Sequence, residues 1–346
     1  MIKNKGTHIS IDKRFSKVLE WPSYSVSIKK AANYSDNKFE VATGTNTANQ
    51  EANYITLLSI SISDKAQEIV IKRKYKHQGN VMNILSINDS YLISASSNNS
   101  LYLYNLNQDC PEVSTKPDLM FKSYTSPCTG LSIGLNKNVL LSSSEKGEVT
   151  LWDIKYDSNL GVIEPMYSSS YHNGKVNDVA WNMGNEFLYS SCGEDKRLNF
   201  YDMRERDKHL SVLTSSSVKK ISFNNVNQNL FLSGSGMNII DLWDLRNTKI
   251  KLHTFQYHTH SITGIKWSDT NENLFISTGL DGNMVMWNLQ LLGEKINPVI
   301  SEEVPAEAEV IHKKSSKIYN FDWKRNTITL VDNQNNIEIV SIKSKS

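Results

Sequence analysis

Ile239-Ile240-Asp241-Leu242-Trp243-Asp244-Leu245-Arg246 is the stretch whose reading decides the fold. Apolar residues alternate into an aromatic–Asp pair, and the chain repeats the pattern. Residues 101–106 read LYLYNL, 149–154 VTLWDI, 198–203 LNFYDM and 284–289 MVMWNL, while 337–342, IEIVSI, is a degraded copy. The recurring aromatic falls at Tyr104, Trp152, Tyr201, Trp243 and Trp287, with gaps of 48, 49, 42 and 44 residues. A strand motif with this period is the spacing of a four-stranded propeller blade. Such repeats bury their faces only against neighbours, so 346 residues make one array without a second core. The expected class is all-β, a seven-bladed β-propeller, with residues 1–20 as an N-terminal segment and 21–346 as the propeller.

The strands group by alternation and turn chemistry. Blade one takes residues 21–28, 39–43, 54–62 and 68–76, with a polar turn at 44–51. Blade four is the cleanest copy: 176–181 (VNDVAW), 187–191, a Glu194-Asp195-Lys196-Arg197 turn, then 198–203. Blade six turns at Asp281-Gly282, a favourable tight-turn pair. Blade seven supplies only three strands, 318–323, 327–331 and 337–342. Residues 1–20 would therefore provide its outer strand and close the ring, which protects the sheet edges. The alternative is a short docking helix, because Phe15, Val18 and Leu19 are spaced like one helix face. An insertion at 290–310 carries five glutamates, and a long acidic loop between strands has a functional reading.

Composition bounds the chemistry. The formal charge is +2, from 38 basic and 36 acidic residues, without the basic excess of a dedicated nucleic-acid binder. Cys110, Cys128 and Cys192 form no closely spaced metal motif, which reads as reduced thiols of cytosol or nucleus. The first residues lead into no signal-peptide core, and no run approaches the length of a membrane helix. There is no nucleotide-binding Gly loop, nucleophile elbow or acid–base–nucleophile set. The chain thus reads as a non-enzyme, with no cofactor and no metal. The basic run Lys72-Arg73-Lys74-Tyr75-Lys76 reads as a solvated outer edge in preference to a nucleic-acid patch.

His77, His172 and His258 each stand just before a blade's first strand. Such placement resembles WD-repeat proteins, in which this histidine hydrogen-bonds within its blade. The matching sets are His172, Ser191, Asp195 and Tyr201, and His258, Ser277, Asp281 and Trp287. An imidazole held between carboxylate and hydroxyl satisfies both ring nitrogens.

The resemblance narrows further. Trp243-Asp244-Leu245-Arg246-Asn247 followed by 249–255 (KIKLHTF), Leu19-Glu20-Trp21-Pro22-Ser23, 43–47 (TGTNT), 176–181 and 288–294 (NLQLLGE) are similar to the retinoblastoma-associated histone-binding WD-repeat family. That family includes the chromatin assembly factor small subunit and the type B histone acetyltransferase subunit. The resemblance covers the chain from Leu19 onward and implies a non-catalytic histone escort of the nucleus, with the cytoplasm as a second location. Its implied partners are histones H4 and H3 and larger subunits of chromatin assembly, acetyltransferase or deacetylase complexes. Sequence-specific nucleic acid and membrane are not among them.

The resemblance also implies two sites. A helix of histone H4 would lie in a side groove between an N-terminal helix and the blade-six loop. Glu302, Glu303, Glu307 and Glu309 would meet histone arginines there, and Val310 and Ile311 would line the groove with Phe15, Val18 and Leu19. The histone H3 tail would enter a top-face channel at Gln78, Asn80, Asn177 and Thr263. None of these four is a carboxylate, so weak attraction for a basic tail is expected. Two other classes compete: an adaptor of cullin-type ubiquitin ligases, from the aromatic-Asp-x-Arg endings at Tyr201–Arg204 and Trp243–Arg246, and a scaffold without histone contact.

Overall fold

The computed structural model describes residues 8–30, 38–47, 53–62, 67–107, 113–114, 117–121, 125–154, 156, 162–205, 209–292 and 307–345. They form seven sheets of four or five strands, one per blade, arranged as a β-propeller. Seven buried clusters hold the ring together, each drawn from two neighbouring blades. The recurring aromatic is the plug of each junction. Tyr104, Trp152, Tyr201, Trp243 and Trp287 are at most 3% exposed, and each lies against the preceding blade. In blade seven the same position holds Val340, also fully buried.

The N-terminal segment closes the ring as a strand. His8–Val18 runs antiparallel to Asn336–Lys345 as the outer strand of blade seven, with His8 opposite Lys345 and Val18 opposite Asn336. The helical spacing of Phe15, Val18 and Leu19 yields to an unpaired sheet edge, which offers ten residues of backbone partners at once. Both chain ends are thereby tied into one blade.

Two connections do more than their sequence suggests. Val113–Ser114 adds a fifth strand, parallel, to the outer edge of blade one at Lys74 and Tyr75. Val162–Ile163 does the same for blade two at Met120 and Phe121. Each connection thus reaches back over an earlier blade and covers part of its edge.

Cys128 and Cys192 are completely buried in blade-junction clusters. Burial pushes the Cys128 thiol up to about 12 and raises Cys192 well above the ordinary thiol range. Neither is expected to react with iodoacetamide at pH ~8 until the protein unfolds, because the thiolate is the nucleophile. Rapid alkylation of either in a native peptide map would contradict that burial. Cys110 lies outside the described residues.

Candidate functional site

The histidines preceding the inner strands are consumed by the fold. Trp287 Nε1 donates to Ser277 Oγ at 2.8 Å, and Ser277 Oγ lies 2.8 Å from His258 Nε2. Because indole only donates, the serine hydroxyl turns its proton to Nε2, and Nδ1–H is left facing the Asp281 carboxylate at 3.0 Å. Burial would raise the Asp281 carboxyl, but bonds from His258, Thr259 N and Asn283 N hold it at about 2. Blade four repeats the relay with His172, Ser191, Asp195 and Tyr201. In blade two His77 bonds the Gly79 carbonyl oxygen and Ser94 Oγ without a carboxylate. Burial lowers that imidazole to about 4, so it stays neutral at physiological pH. Both ring nitrogens of all three histidines are occupied within the blades.

The basic run is also engaged by its own blade. Lys72 pairs with Glu40, Lys74 sits 4.0 Å over the Trp21 ring, and Arg73 donates to the Leu106 carbonyl at 3.2 Å. The aromatic-Asp-x-Arg endings fold back likewise: Arg204 on Asp202 and Arg246 on Asp244, each at 2.5 Å.

On the side of the ring, a buried carboxylate that sequence reading passed over organises the closure. Glu338, 1% exposed, accepts from Arg14 Nε of the closing strand at 3.1 Å and from Lys314 Nζ at 2.6 Å, and lies 2.9 Å from His312 Nδ1. Arg14 also donates to the Ile311 carbonyl oxygen. The cluster thus joins the closing strand, blade seven and the outer strand of blade six, Ala308–Lys313. The available signal was a lone acid inside IEIVSI, at the position that holds Val285 in blade six and Thr150 in blade three.

The residues assigned to the side groove do not share one surface. Phe15 and Leu19 pack into the junction of blades seven and one. Ile311, 4% exposed, is buried in the junction of blades six and seven, on the other face of the blade-seven sheet. Val310 is half-buried opposite Val285. Val18, 68% exposed, and Glu309 face solvent. Glu307 is largely covered and lies 3.8 Å from His253 of blade five. Glu302 and Glu303 lie outside the described residues. An N-terminal helix as one wall of that groove is replaced, over His8–Val18, by the closing strand. Beside that strand's end, a pocket of about 70 Å³ is lined by Lys17, Val18, Leu19, Trp21, Leu58 and Ile71 among others.

The top face carries a second constellation. Every inner strand bears a register slip at its second residue, so Tyr24, Met82, Thr129, Asn177, Lys219, Thr263 and Tyr319 stand as bulge residues at equivalent places around the channel. Bulges re-aim side chains and recur beside functional sites. Tyr24 and Tyr319, from neighbouring blades, stack at 4.4 Å with planes 16° apart. Across the ring the polar members are taken up locally. Asn177 Nδ2 donates to the Val218 carbonyl at 2.7 Å, Thr129 to the Val176 carbonyl, Thr263 shares a bond with Thr278, and Lys219 pairs with Glu194. Of the residues assigned to the channel, Asn177 and Thr263 belong to this ring. Gln78 and Asn80 lie in the loop before blade two, where they bond Tyr102 and Asn53. The aromatic pair went unread because Tyr24 and Tyr319 lie 295 residues apart in the chain.

Seven blades with junction-filling aromatics and His–Ser–Asp relays define a WD-repeat β-propeller, and residues 163–202 and 249–288 match the family model for the WD domain, G-beta repeat. Residues 12–64, from the closing strand through blade one, match the family model for the histone-binding protein RBBP4 and its counterpart in the CAF1 complex. Over 320 residues the chain is 23% identical to the histone acetyltransferase type B subunit 2 of Candida glabrata, covering 85% of this chain and 75% of that relative. The chain therefore resembles the WD-repeat histone-binding family along most of its length. Among the described residues, no helix is long and apolar enough to cross a membrane.

Proposed function

We propose that this protein is a non-catalytic, histone-binding subunit of complexes that assemble chromatin or modify histones, working in the nucleus and also in the cytoplasm. The observation that carries the reading is the match of residues 12–64 to a histone-binding family model, because it falls on the segment that closes the ring. The proposed partners are histones H4 and H3, carried to larger subunits of assembly, acetyltransferase or deacetylase complexes. For the H4 helix, the proposed surface is the rim where the closing strand meets blade six. Glu302, Glu303 and Glu309 would pair with histone arginines, since carboxylates meet guanidinium in two parallel hydrogen bonds. Glu307 is committed toward His253, and Phe15, Leu19, Val310 and Ile311 support the rim from beneath while Val18 offers apolar contact.

The test is calorimetric titration with a peptide of the first H4 helix at two salt concentrations. Replacing Glu302, Glu303 and Glu309 by lysine is expected to weaken binding by about tenfold or more and to flatten its salt dependence. Salt-sensitive binding that survives those changes would move the H4 site elsewhere on the propeller. If the folded protein binds neither the H4 peptide nor H3–H4 complexes, the histone reading is wrong.

A further inference from the structure

The top mouth is divided into two unlike arcs. Tyr319, Tyr24 and Met82 come from three consecutive blades and form an apolar arc, in which Met82 is 40% exposed. The opposite arc ends in Lys219, whose partner Glu194 is itself 41% exposed. An ion pair so open to water contributes little and exchanges readily with an incoming anion.

The rim above these arcs is basic. Lys146 and Lys196 lie in the turns between the second and third strands of blades three and four, and Lys313 and Lys317 flank the entry to blade seven. All four are exposed and have no carboxylate partner among the described residues. The acids of this face are committed. Glu145 pairs with Lys175 at 2.7 Å, Glu148 accepts from Thr125 and Ser144, and Asp195 and Asp281 belong to the histidine relays. A lysine-rich tail would therefore meet like charge and no free carboxylate, whereas an acidic chain would meet unpaired cations.

We propose that the top mouth binds an acidic peptide segment that carries one apolar or aromatic anchor residue. The anchor lies against Tyr24, Tyr319 and Met82. Flanking carboxylates take Lys219 from Glu194 and reach the rim lysines. Aromatic and methionine surface supplies the apolar contact, and charge sets the orientation. This site is independent of the blade-six rim proposed for histone H4, so the two can fail separately.

Fluorescence anisotropy tests it with three labelled peptides: a Glu/Asp-rich peptide with one central Phe, the same peptide with Ala for that Phe, and a Lys-rich peptide with the Phe. The acidic Phe peptide is expected to bind tightest, with affinity falling as salt rises. K219E and M82E should each weaken it by about tenfold, and K317E, on an exposed loop, should weaken it less. Melting temperatures equal to the parent's verify that the variants are folded. Tighter binding of the Lys-rich peptide, binding of no peptide, affinity unchanged in K219E and M82E, or displacement of the acidic peptide by a DNA duplex at lower concentration than by unlabelled peptide would each overturn the proposal.

Discussion

Glu338→Ala is expected to lower folding stability by about 3–5 kcal/mol, the range for removing one member of a buried ion pair. The carboxylate is 1% exposed and is shared by Arg14, Lys314 and His312. Its loss leaves those donors facing each other at the seam where the ring closes. Burial alone would raise the Glu338 carboxyl; hydrogen bonds from His312 and Lys314 hold it at about 2. A carboxylate depressed in the folded state stabilises the fold above the unfolded value of about 4.3, and that contribution is lost as pH falls towards 2. The shift corresponds to roughly 3 kcal/mol, consistent with the mutational figure. Glu338→Gln keeps the shape and removes the charge, so its stability should vary less with pH across that window. Denaturant unfolding at pH ~6 and pH ~3 measures both. Hydrogen exchange should show the amides of His8–Val18 released first. A Gln variant within about 1 kcal/mol of the parent, with the same acid slope, would show that the carboxylate does not fasten the ring.

Trp287→Ala is the second large effect, at about 3–5 kcal/mol. The indole is fully buried and packs edge-on to Phe255 at 5.0 Å, with Phe275 stacked at 5.8 Å. Its Nε1–H also sets the direction of the relay through Ser277 and His258 to Asp281. Trp287→Phe separates the two roles. It keeps most of the ring's packing and removes the donor, so a cost nearer 1–2 kcal/mol is expected, from one hydrogen bond and a small residual void. If Phe costs as much as Ala in thermal or denaturant unfolding, the hydrogen-bond relay and not the packing governs the blade five–six junction.

The aromatic repeat made the fold legible because every blade must fill the same junction with the same bulk. The two histidine relays were legible residue by residue for a related reason. The loop, the second strand and the turn of one blade are local in sequence, and strand register fixes which side chains meet. The N-terminal segment was ambiguous between helix and strand from its own residues. Phe15, Val18 and Leu19 fit a helix face, but an open edge at Asn336–Lys345 outweighed a short helix with no packing of its own. The groove drawn between those residues and Ile311 dissolved for the same reason, since a strand sends neighbouring side chains to opposite faces of its sheet. Phe15 went to blade one while Arg14 reached Ile311 and Glu338 on the side of blade six.

By itself the sequence determined the all-β class, the number of blades, their junction aromatics, the local relays and the family resemblance, all of which rest on periodicity or on contacts within one repeat. Tertiary structure alone decided the rest: that the first strand completes the last blade, that Glu338 gathers cations from residues 14 and 314, that two connections become fifth strands, and that Tyr24 stacks on Tyr319. These are contacts between segments remote in the chain. Ring closure brings them together, and no local propensity records a meeting that depends on the whole circle being complete.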